Sequence, residues 1–383
     1  MGADELVREA DRATAARDFA SAASLLEQAA ALSPHDPSLW VRIAAVRRAA
    51  GKPEAALDAV HKALAISPRD FTALLMRASL LERLGMTQAG EAWGQALAQK
   101  PDGEIPQQLQ SILAEAQQKY AAWQTEREAE LKLRMASSEQ GATPEEAKRI
   151  ERFRSNSIRR TRPYHSEPTN FHFPELTERE FHPRRLFPWI EELESATSGI
   201  AAELRKVMAA ERAELVPYVQ FEDHAPMDQW RLLNRNPDWT AIHLIQHGKG
   251  IEANARHCPD TMALLDKLPQ PAITGASPNA MFSLLAPNTA IPPHVGISNS
   301  RLVCHLPLIV PNGCWFRVGA ETRYWKPGEA FVFDDTMEHE AANPSDELRV
   351  VFIFDVWHPD LSPIERDAVA ALISASSAGD QGL

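Results

Sequence analysis

The chain is poor in the features that mark a protein for export, for a membrane or for nucleic acid. It has three cysteines in 383 residues, Cys258, Cys304 and Cys314. They are odd in number and too scattered for a disulfide framework or a zinc knuckle, and they read as buried or free thiols in a reducing cytoplasm. No stretch reaches the roughly 18 apolar residues that cross a bilayer. The opening MGADELVREADRATAARD has no basic start followed by an apolar core, so no secretory signal is expected. Its sixth residue is Leu6, where myristoylation favours Ser or Thr. Excess positive charge is missing as well: the net charge of −12 leaves the whole chain without the basic face that nucleic-acid binding needs. What remains is an ordinary globular composition, long enough for two domains.

The first hundred residues repeat. "ALSPHDPSLW" (Ala31 to Trp40) is echoed by "AISPRDFTAL" (Ala65 to Leu74), and Pro34 and Pro68 stand 34 residues apart. Gly51 and Gly85 keep the same step, as do Ala10, Ala44 and Ala78, Ala22 and Ala56, and Ala29 and Ala63. Small residues let paired helices approach closely, and a proline stops the second helix. This pattern resembles the tetratricopeptide repeat, with repeats expected at 3–36, 37–70 and 71–102. The third is one residue short and carries Gly90 and Gly94 inside its second helix. A helix from Glu104 to Leu133 is expected to cap the stack. Such arrays commonly hold a partner in a groove. The alternative is that the repeats only pack on the neighbouring domain or form a dimer.

Residues 135–162 are polar and read as a linker. From Lys148 to Arg162 the stretch turns basic, which also suits contact with an acidic partner. The texture then changes. After an amphipathic helix expected over Pro188–Ala210 come short apolar runs: "WTAIHLIQ", "MFSLLAP", "RLVCHLPLIV", "CWFRVG", "EAFVFDD" and "LRVVFIFDVW". Turn signals "PNG", "KPG" and "NPSD" separate them. Evenly spaced short strands after a helix suggest a double-stranded β-helix, a jelly-roll, over 163–383. On pattern alone a sandwich stays open.

His294 ends "IPPH" just before one strand, and His339 follows the strand that ends "FVFDD". Two histidines at neighbouring strand mouths can converge on one ion, and imidazole suits iron, copper, zinc or nickel. Without nearby thiols a structural zinc site is not expected. Arg349 starts the last strand, and a buried arginine near a metal calls for an anion, most simply a carboxylate gripped in bidentate fashion. Ser283 could share that carboxylate. Alternation places Arg301, Val303 and His305 on one strand face. Asp334 and Asp335 are candidate ligands or turn chemistry, and Asp335 could orient a ligand histidine. Trp357 and His358 read as packing, and Asn254 and His257 in "NARHCPDT" as structural.

The motifs PHxGxxNxRLxxHL, FDDxxEHE and DVWHP, all present between Pro293 and Pro359, resemble the aspartyl/asparaginyl β-hydroxylase family. The resemblance covers about 163–370. It implies an Fe(II)- and 2-oxoglutarate-dependent dioxygenase on a double-stranded β-helix, with O2 as oxidant. It further implies that His294 and His339 bind iron, that Arg349 grips the far carboxylate of 2-oxoglutarate, and that Ser283 and His305 help to hold it. One departure stands out: an arginine common in the family two residues before His305 is Val303 here, and Arg301 is the nearest substitute. The implied reaction is hydroxylation of a C–H bond, with the β-carbon of Asp or Asn in a peptide or protein as first expectation. A small-molecule or lipid hydroxylase is the close variant. Gly296, standing where many iron sites carry a carboxylate, leaves an iron halogenase as a lesser alternative. A non-catalytic repeat scaffold is another, disfavoured by the intact His294, His339 and Arg349.

Overall fold

The computed structural model describes residues 1–103, 105, 107–210, 215–222, 224 and 228–376. The chain divides into two compact units, Met1–Thr161 and Arg162–Leu383.

The first unit is all helical: α1 (Ala3–Ala15), α2 (Phe19–Leu32), α3 (Pro37–Ala49), α4 (Pro53–Ile66), α5 (Phe71–Arg83), α6 (Ala89–Leu97), α7 (Gln107–Met135) and α8 (Pro144–Ser157). The 34-residue period seen in the sequence returns in the backbone. Within each of the first three pairs the turn uses one left-handed residue, Arg17 (φ 60°), Gly51 (φ 72°) and Gly85 (φ 64°). Glycine takes that conformation without strain, and Arg17 does so at some expense. The caps repeat too: the Asp36 carboxylate accepts from the Ser38 amide at 2.8 Å, and Asp70 accepts from Ala73 at 2.7 Å, each worth about 1 kcal/mol. The core is made largely of small side chains, with Ala22, Ala44, Ala56, Ala63 and Ala78 wholly buried among Leu26, Ile43 and Leu80.

The two glycines that made the third repeat look irregular have a purpose. A Cβ on Gly90 would meet the Trp123 ring at 1.9 Å, and one on Gly94 would meet Tyr120 at 2.4 Å. They are the seats on which the two rings of α7 rest. The capping helix begins at Gln107, and Glu104 lies outside the described residues. The stretch read as a linker holds α8 instead. Thr143 and Glu146 form a reciprocal capping box around Pro144, a local signal that a composition-based reading passes over. Arg154 on α8 is buried and pairs with Glu139 at 2.8 Å.

The second unit begins with β1 (Phe181–His182), α9 (Ile190–Ser195), α10 (Thr197–Met208), β2 (Val216–Pro217), β3 (Trp239–Gln246), β4 (Lys249–Gly250), α11 (Glu252–Ala255) and α12 (Pro259–Leu265). It continues with β5 (Ala280–Leu285), β6 (Thr289–His294), β7 (Arg301–Ile309), β8 (Trp315–Val318), β9 (Glu321–Tyr324), β10 (Phe331–Phe333), β11 (His339–Asn343), β12 (Arg349–Trp357) and α13 (Pro363–Ala375). Residues 377–383 lie outside the described residues. The single helix expected over Pro188–Ala210 is two. Ser195 and Thr197 turn their hydroxyls back onto the carbonyls of Glu191 and Glu194, at 2.7 and 2.6 Å, which favours a break.

Two antiparallel sheets carry the site. The larger runs β1-β10-β7-β12-β5-β3-β2 with β4 on β3, and the smaller runs β6-β11-β8-β9. From β5 to β12 the chain passes back and forth between them. β6 contains Pro292 and Pro293, which lack a ladder donor, and it sits at the edge of its sheet as such a strand should. Alternation along the large sheet sorts its side chains. Leu302, Cys304, Leu306, Phe352 and Phe354 pack with Leu193, Ile200 and Leu204 of α9 and α10. Val303, Phe331, Phe333 and Val351 face the small sheet's Ile291, Phe316, Val318 and Ala341. Glu203, buried on α10, caps α12 by accepting from the amides of Asp260 and Thr261 at 3.0 and 2.9 Å. All three cysteines are buried and unpaired. Among the described residues no helix is long and apolar enough to cross a membrane.

Candidate active site

The site lies between the sheets, where β6 ends and β11 begins. The ladder sets His294 directly opposite His339, so residues 45 positions apart in sequence bring their ring centroids to 4.0 Å. Each ring is held from behind. Nδ1 of His294 is 2.8 Å from the carbonyl oxygen of Pro292, and Nδ1 of His339 is 3.0 Å from that of Met337. A carbonyl only accepts, so both rings carry their proton on Nδ1 and keep the Nε2 lone pair free. Burial first, and for His294 the neighbouring His339, pushes the rings far below the usual imidazole range, to about 3 for His294 and about 4 for His339. Both are neutral at pH 7, the form that ligates a metal. Among the described residues no third His, Cys, Asp or Glu completes a metal-binding group.

Gly296 is not beside an empty space. A Cβ built there would lie 2.2 Å from Oδ2 of Asp335, and the Gly296 amide donates to the Asp335 carbonyl at 2.7 Å. The Asp335 carboxylate thus fills the room that a side chain at 296 would take. Burial raises its pKa, and Arg301, 3.3 Å away, opposes the rise. Arg301 also lowers the pKa of buried Asp355. Its charge therefore faces two carboxylates. Asp334 makes turn chemistry, accepting from the Thr336 amide at 2.9 Å, with burial raising it to about 7.

Arg349 is 2% exposed at the start of β12. It donates to Oγ of Ser283 at 3.3 Å, lies 4.8 Å over the Trp325 ring, and leaves Nε without a partner. Burial lowers it to about 10, and the groups that oppose the shift are Cys314 and Tyr218, not a carboxylate. A buried cation in this state costs several kcal/mol unless an anion joins it. His305 lies nearby in a box of Phe316, Phe331, Phe333 and Trp325, with ring centroids at 4.8 to 6.1 Å. Its Nδ1 has no partner, and burial followed by Arg349 holds it well below the usual range. Ser283, Arg349 and His305 thus line one buried polar cradle with unmet hydrogen bonds.

Sequence reasoning did not single out the aromatic wall on the other side of His294. Trp239 donates from Nε1 to Ser283 at 3.1 Å and stacks on Tyr218 at 3.9 Å. Trp230 stands 5.0 Å from the His294 ring. The only linear signal was three aromatic residues and Phe221 gathered within 218–239 of a chain that is 7% aromatic. Trp357 belongs to a separate apolar cluster with Ile273, Leu361, Val369 and Ile373. His358 accepts at Nδ1 from the Asp360 amide at 3.2 Å. Asn254 donates to the His243 carbonyl at 2.8 Å, in a structural role.

Residues 194–359 match a family model described as aspartyl/asparaginyl beta-hydroxylase. The human protein of that name is 37% identical over 142 residues, 37% of this chain and 18% of its own length. Human aspartate beta-hydroxylase domain-containing protein 2 is 36% identical over 157 residues, 40% of this chain and 42% of its own. The ornithine lipid ester-linked acyl 2-hydroxylase of Rhizobium tropici is 32% identical over 201 residues, 52% of this chain and 67% of its own. The chain thus spans less than half the length of the two human relatives. The first unit is similar to the TPR domain of Sgt2 from Aspergillus fumigatus, at 21% identity and TM-score 0.27, covering 37% of this chain and 84% of that domain.

Proposed function

The chain belongs to the aspartyl/asparaginyl β-hydroxylase family, and from that premise we propose that it is an Fe(II)- and 2-oxoglutarate-dependent dioxygenase that hydroxylates a C–H bond. The observation that carries this reading is the buried, carboxylate-free Arg349 beside His305, a ring that also feels His339, while His294 and His339 face each other with Nδ1 turned to backbone carbonyls. The donor set fits the absent groups. His294 and His339 would hold the iron, and the rest of its coordination would come from the cosubstrate and small ligands. Arg349 and Ser283 would take the far carboxylate of 2-oxoglutarate, and the unpartnered Nδ1 of His305 would serve the same molecule. The passage of the chain between two antiparallel sheets supports a double-stranded β-helix as the scaffold.

Bound together with O2, iron and 2-oxoglutarate supply the oxidation, in which the oxo acid becomes succinate and carbon dioxide and one oxygen atom enters the substrate C–H bond. The protein's share is placement. The carbonyls of Pro292 and Met337 fix the ring tautomers, Trp239 orients Ser283, and the rings around His305 keep bulk water from the cradle. Asp335 in the space beside Gly296 speaks against halogenation, because a halide there would meet a carboxylate. The β-carbon of Asp or Asn in a polypeptide remains the family's first substrate class, with the repeats as a surface for the chain. A lipid or small molecule is the second. The three buried thiols suit a reducing, cytoplasmic setting.

Anaerobic addition of Fe(II) with 2-oxoglutarate should raise the melting temperature, since ligands of the native state stabilise by mass action. His339→Ala should abolish that rise while leaving the unliganded melting point within a few degrees. An unchanged rise in His339→Ala would remove the metal assignment.

A further inference from the structure

We propose that residues 162–173 form a strap that sets the spacing of the two ligand histidines, with Ser166 as a positioning residue. The assignment rests on the metal reading above.

The histidine pair needs such support. β6 stands at the edge of its sheet, with β11 as its ladder partner, and Pro292 and Pro293 bring that ladder no amide donor. His294 and His339 are the last pair of the ladder, whose register shifts between His339 and Ala341. Beyond the pair, the Gly296 amide still reaches the Asp335 carbonyl at 2.7 Å. A metal site has to hold its donors to within about 0.5 Å, which an irregular ladder end on an edge strand does poorly.

The strap crosses the turn that leads into His339 and the loop that leaves His294. It starts beside His339: Arg162 pairs with Glu338 at 3.3 Å and lies 4.4 Å over the Tyr164 ring. Next, the Glu167 amide donates to the Thr336 carbonyl at 2.9 Å. The amides of Thr169 and Phe171 then donate to the carbonyls of Gly296 and Ile297, both at 3.0 Å. At the far end Asn299 grips Phe173 in both directions. Its Oδ1 accepts from the Phe173 amide at 2.7 Å, and its Nδ2 donates to the Phe173 carbonyl at 2.9 Å. One segment is thus bonded three residues before one histidine and two residues after the other.

The buried joint of the strap is Ser166. Its Oγ lies 2.7 Å from Oγ1 of Thr336, and both residues are buried. Thr336 gives its hydroxyl proton to Asp334, so Ser166 is the donor in this pair. The Thr336 amide donates to the same Asp334 oxygen at 2.9 Å. Hydroxyl chains of this kind polarise one another, and this one pins the turn before His339 to the strap. Ser166 therefore acts on the ligand through Thr336. Without it the Thr336 oxygen loses a partner in a buried place.

The test uses the full chain with Co(II) in place of iron and 2-oxoglutarate present, because Co(II) held by histidines absorbs visible light. Ser166→Ala should bind Co(II) about tenfold or more weakly and shift its visible bands. Ser166→Thr keeps the hydroxyl and should restore both. Thr169→Pro, at an exposed position, deletes the amide that reaches Gly296 and should act as Ser166→Ala does, in a chain that folds normally by circular dichroism. It decides the matter if Ser166→Ala does not fold. A part in folding alone gives a different pattern: the metal-free variants melt earlier, while Co(II) affinity and bands match the parent. That pattern overturns the proposal. A parent chain without Co(II) bands removes the metal reading and this assignment with it, whereas a parent that shows them, with variants that match it, removes only the strap.

Discussion

The two units fill their interiors with different side chains. The repeat unit buries alanine, leucine and isoleucine, and Arg154 is the only buried polar or charged side chain among its described residues. The sheet unit buries Ser283, Arg301, His305, Asp334, Asp335, His339, Arg349 and Asp355 within one region. Buried polar groups lower stability unless each finds a partner. Both units leave some without one, Nε of Arg154 and Nε1 of Trp93 among the repeats, and in the sheet unit Nε of Arg349, Nδ1 of His305 and Oδ1 of Asp335 close together. The first unit is thus built for close helix packing. The second tolerates unmet hydrogen bonds at a place where perturbed groups converge, which is how a ligand site differs from a core.

The strongest test of that contrast is Arg349→Met. If Arg349 were part of the core, removing it would cost stability. Because its charge is buried without a carboxylate, replacement by an apolar side chain of similar length should leave the unliganded protein as stable as before or more so. Affinity for 2-oxoglutarate, measured by calorimetry on the iron-loaded chain, should fall by about 3 kcal/mol, on the order of a hundredfold or more. A variant that melts much earlier and binds 2-oxoglutarate normally would place Arg349 in the core and not in the site.

The same contrast decides what could be read in advance. The repeat unit was legible because its packing is periodic: Pro34 and Pro68, Gly51 and Gly85, and the alanines mark contacts that recur along the chain. Even there, Gly90 and Gly94 were unexplained until Trp123 and Tyr120 were seen to rest on them. In the sheet unit the long strands β3, β7 and β12 were legible as apolar runs. β6 and β11 were not, being short and interrupted by proline or polar residues, although they carry both histidines. Motif resemblance supplied His294, His339, Ser283, His305 and Arg349 as a set. It could not supply the partner of Arg301, which comes from a different strand end, or the carboxylate that Asp335 lends to the space at Gly296. The aromatic wall of Trp230 and Trp239 escaped for the same reason, since it exists only where a loop meets a strand mouth.

A second variant probes the other side of the contrast. In the repeat unit a single added carbon should matter where in most surface helices it would help. Gly94→Ala gains helix propensity, about 1 kcal/mol, but its Cβ would stand 2.4 Å from the Tyr120 ring. Overpacking of this kind costs about 1–3 kcal/mol. The expected outcome is faster amide exchange in α6 and α7, read by mass spectrometry, with exchange in β7 and β12 unchanged. Slower exchange in α7 would show that the tyrosine can swing aside freely.

The smallest effect, and the one that reads both units at once, is the response to acid. In the sheet unit burial lowers His182 and His294 to about 3 and His243 and His339 to about 4, and it holds His305 well below its usual value. Unfolded, these rings take protons near pH 6.5. As pH falls from there towards 4, the unfolded chain binds protons that the native rings refuse, so stability falls. Buried Asp334, raised to about 7, works the other way, because its native form is protonated before its unfolded form. Asp335 and Asp355 are raised too and act in the same sense as Asp334. His358 is lowered as well, and six histidines against three raised carboxylates leave a net loss. The repeat unit has lowered carboxylates at Asp18, Glu130 and Glu146. Their contribution is lost only below the ordinary carboxylate range. Taking the metal-free chain from pH 7 to 5 should therefore speed exchange in the strands and spare the repeat helices. His182, with both ring nitrogens unpartnered, offers a control away from the paired histidines. His182→Phe should flatten the acid response of the sheet unit without altering the melting shift produced by iron and 2-oxoglutarate. If exchange in the repeat helices rises first, the buried rings are not what acid attacks.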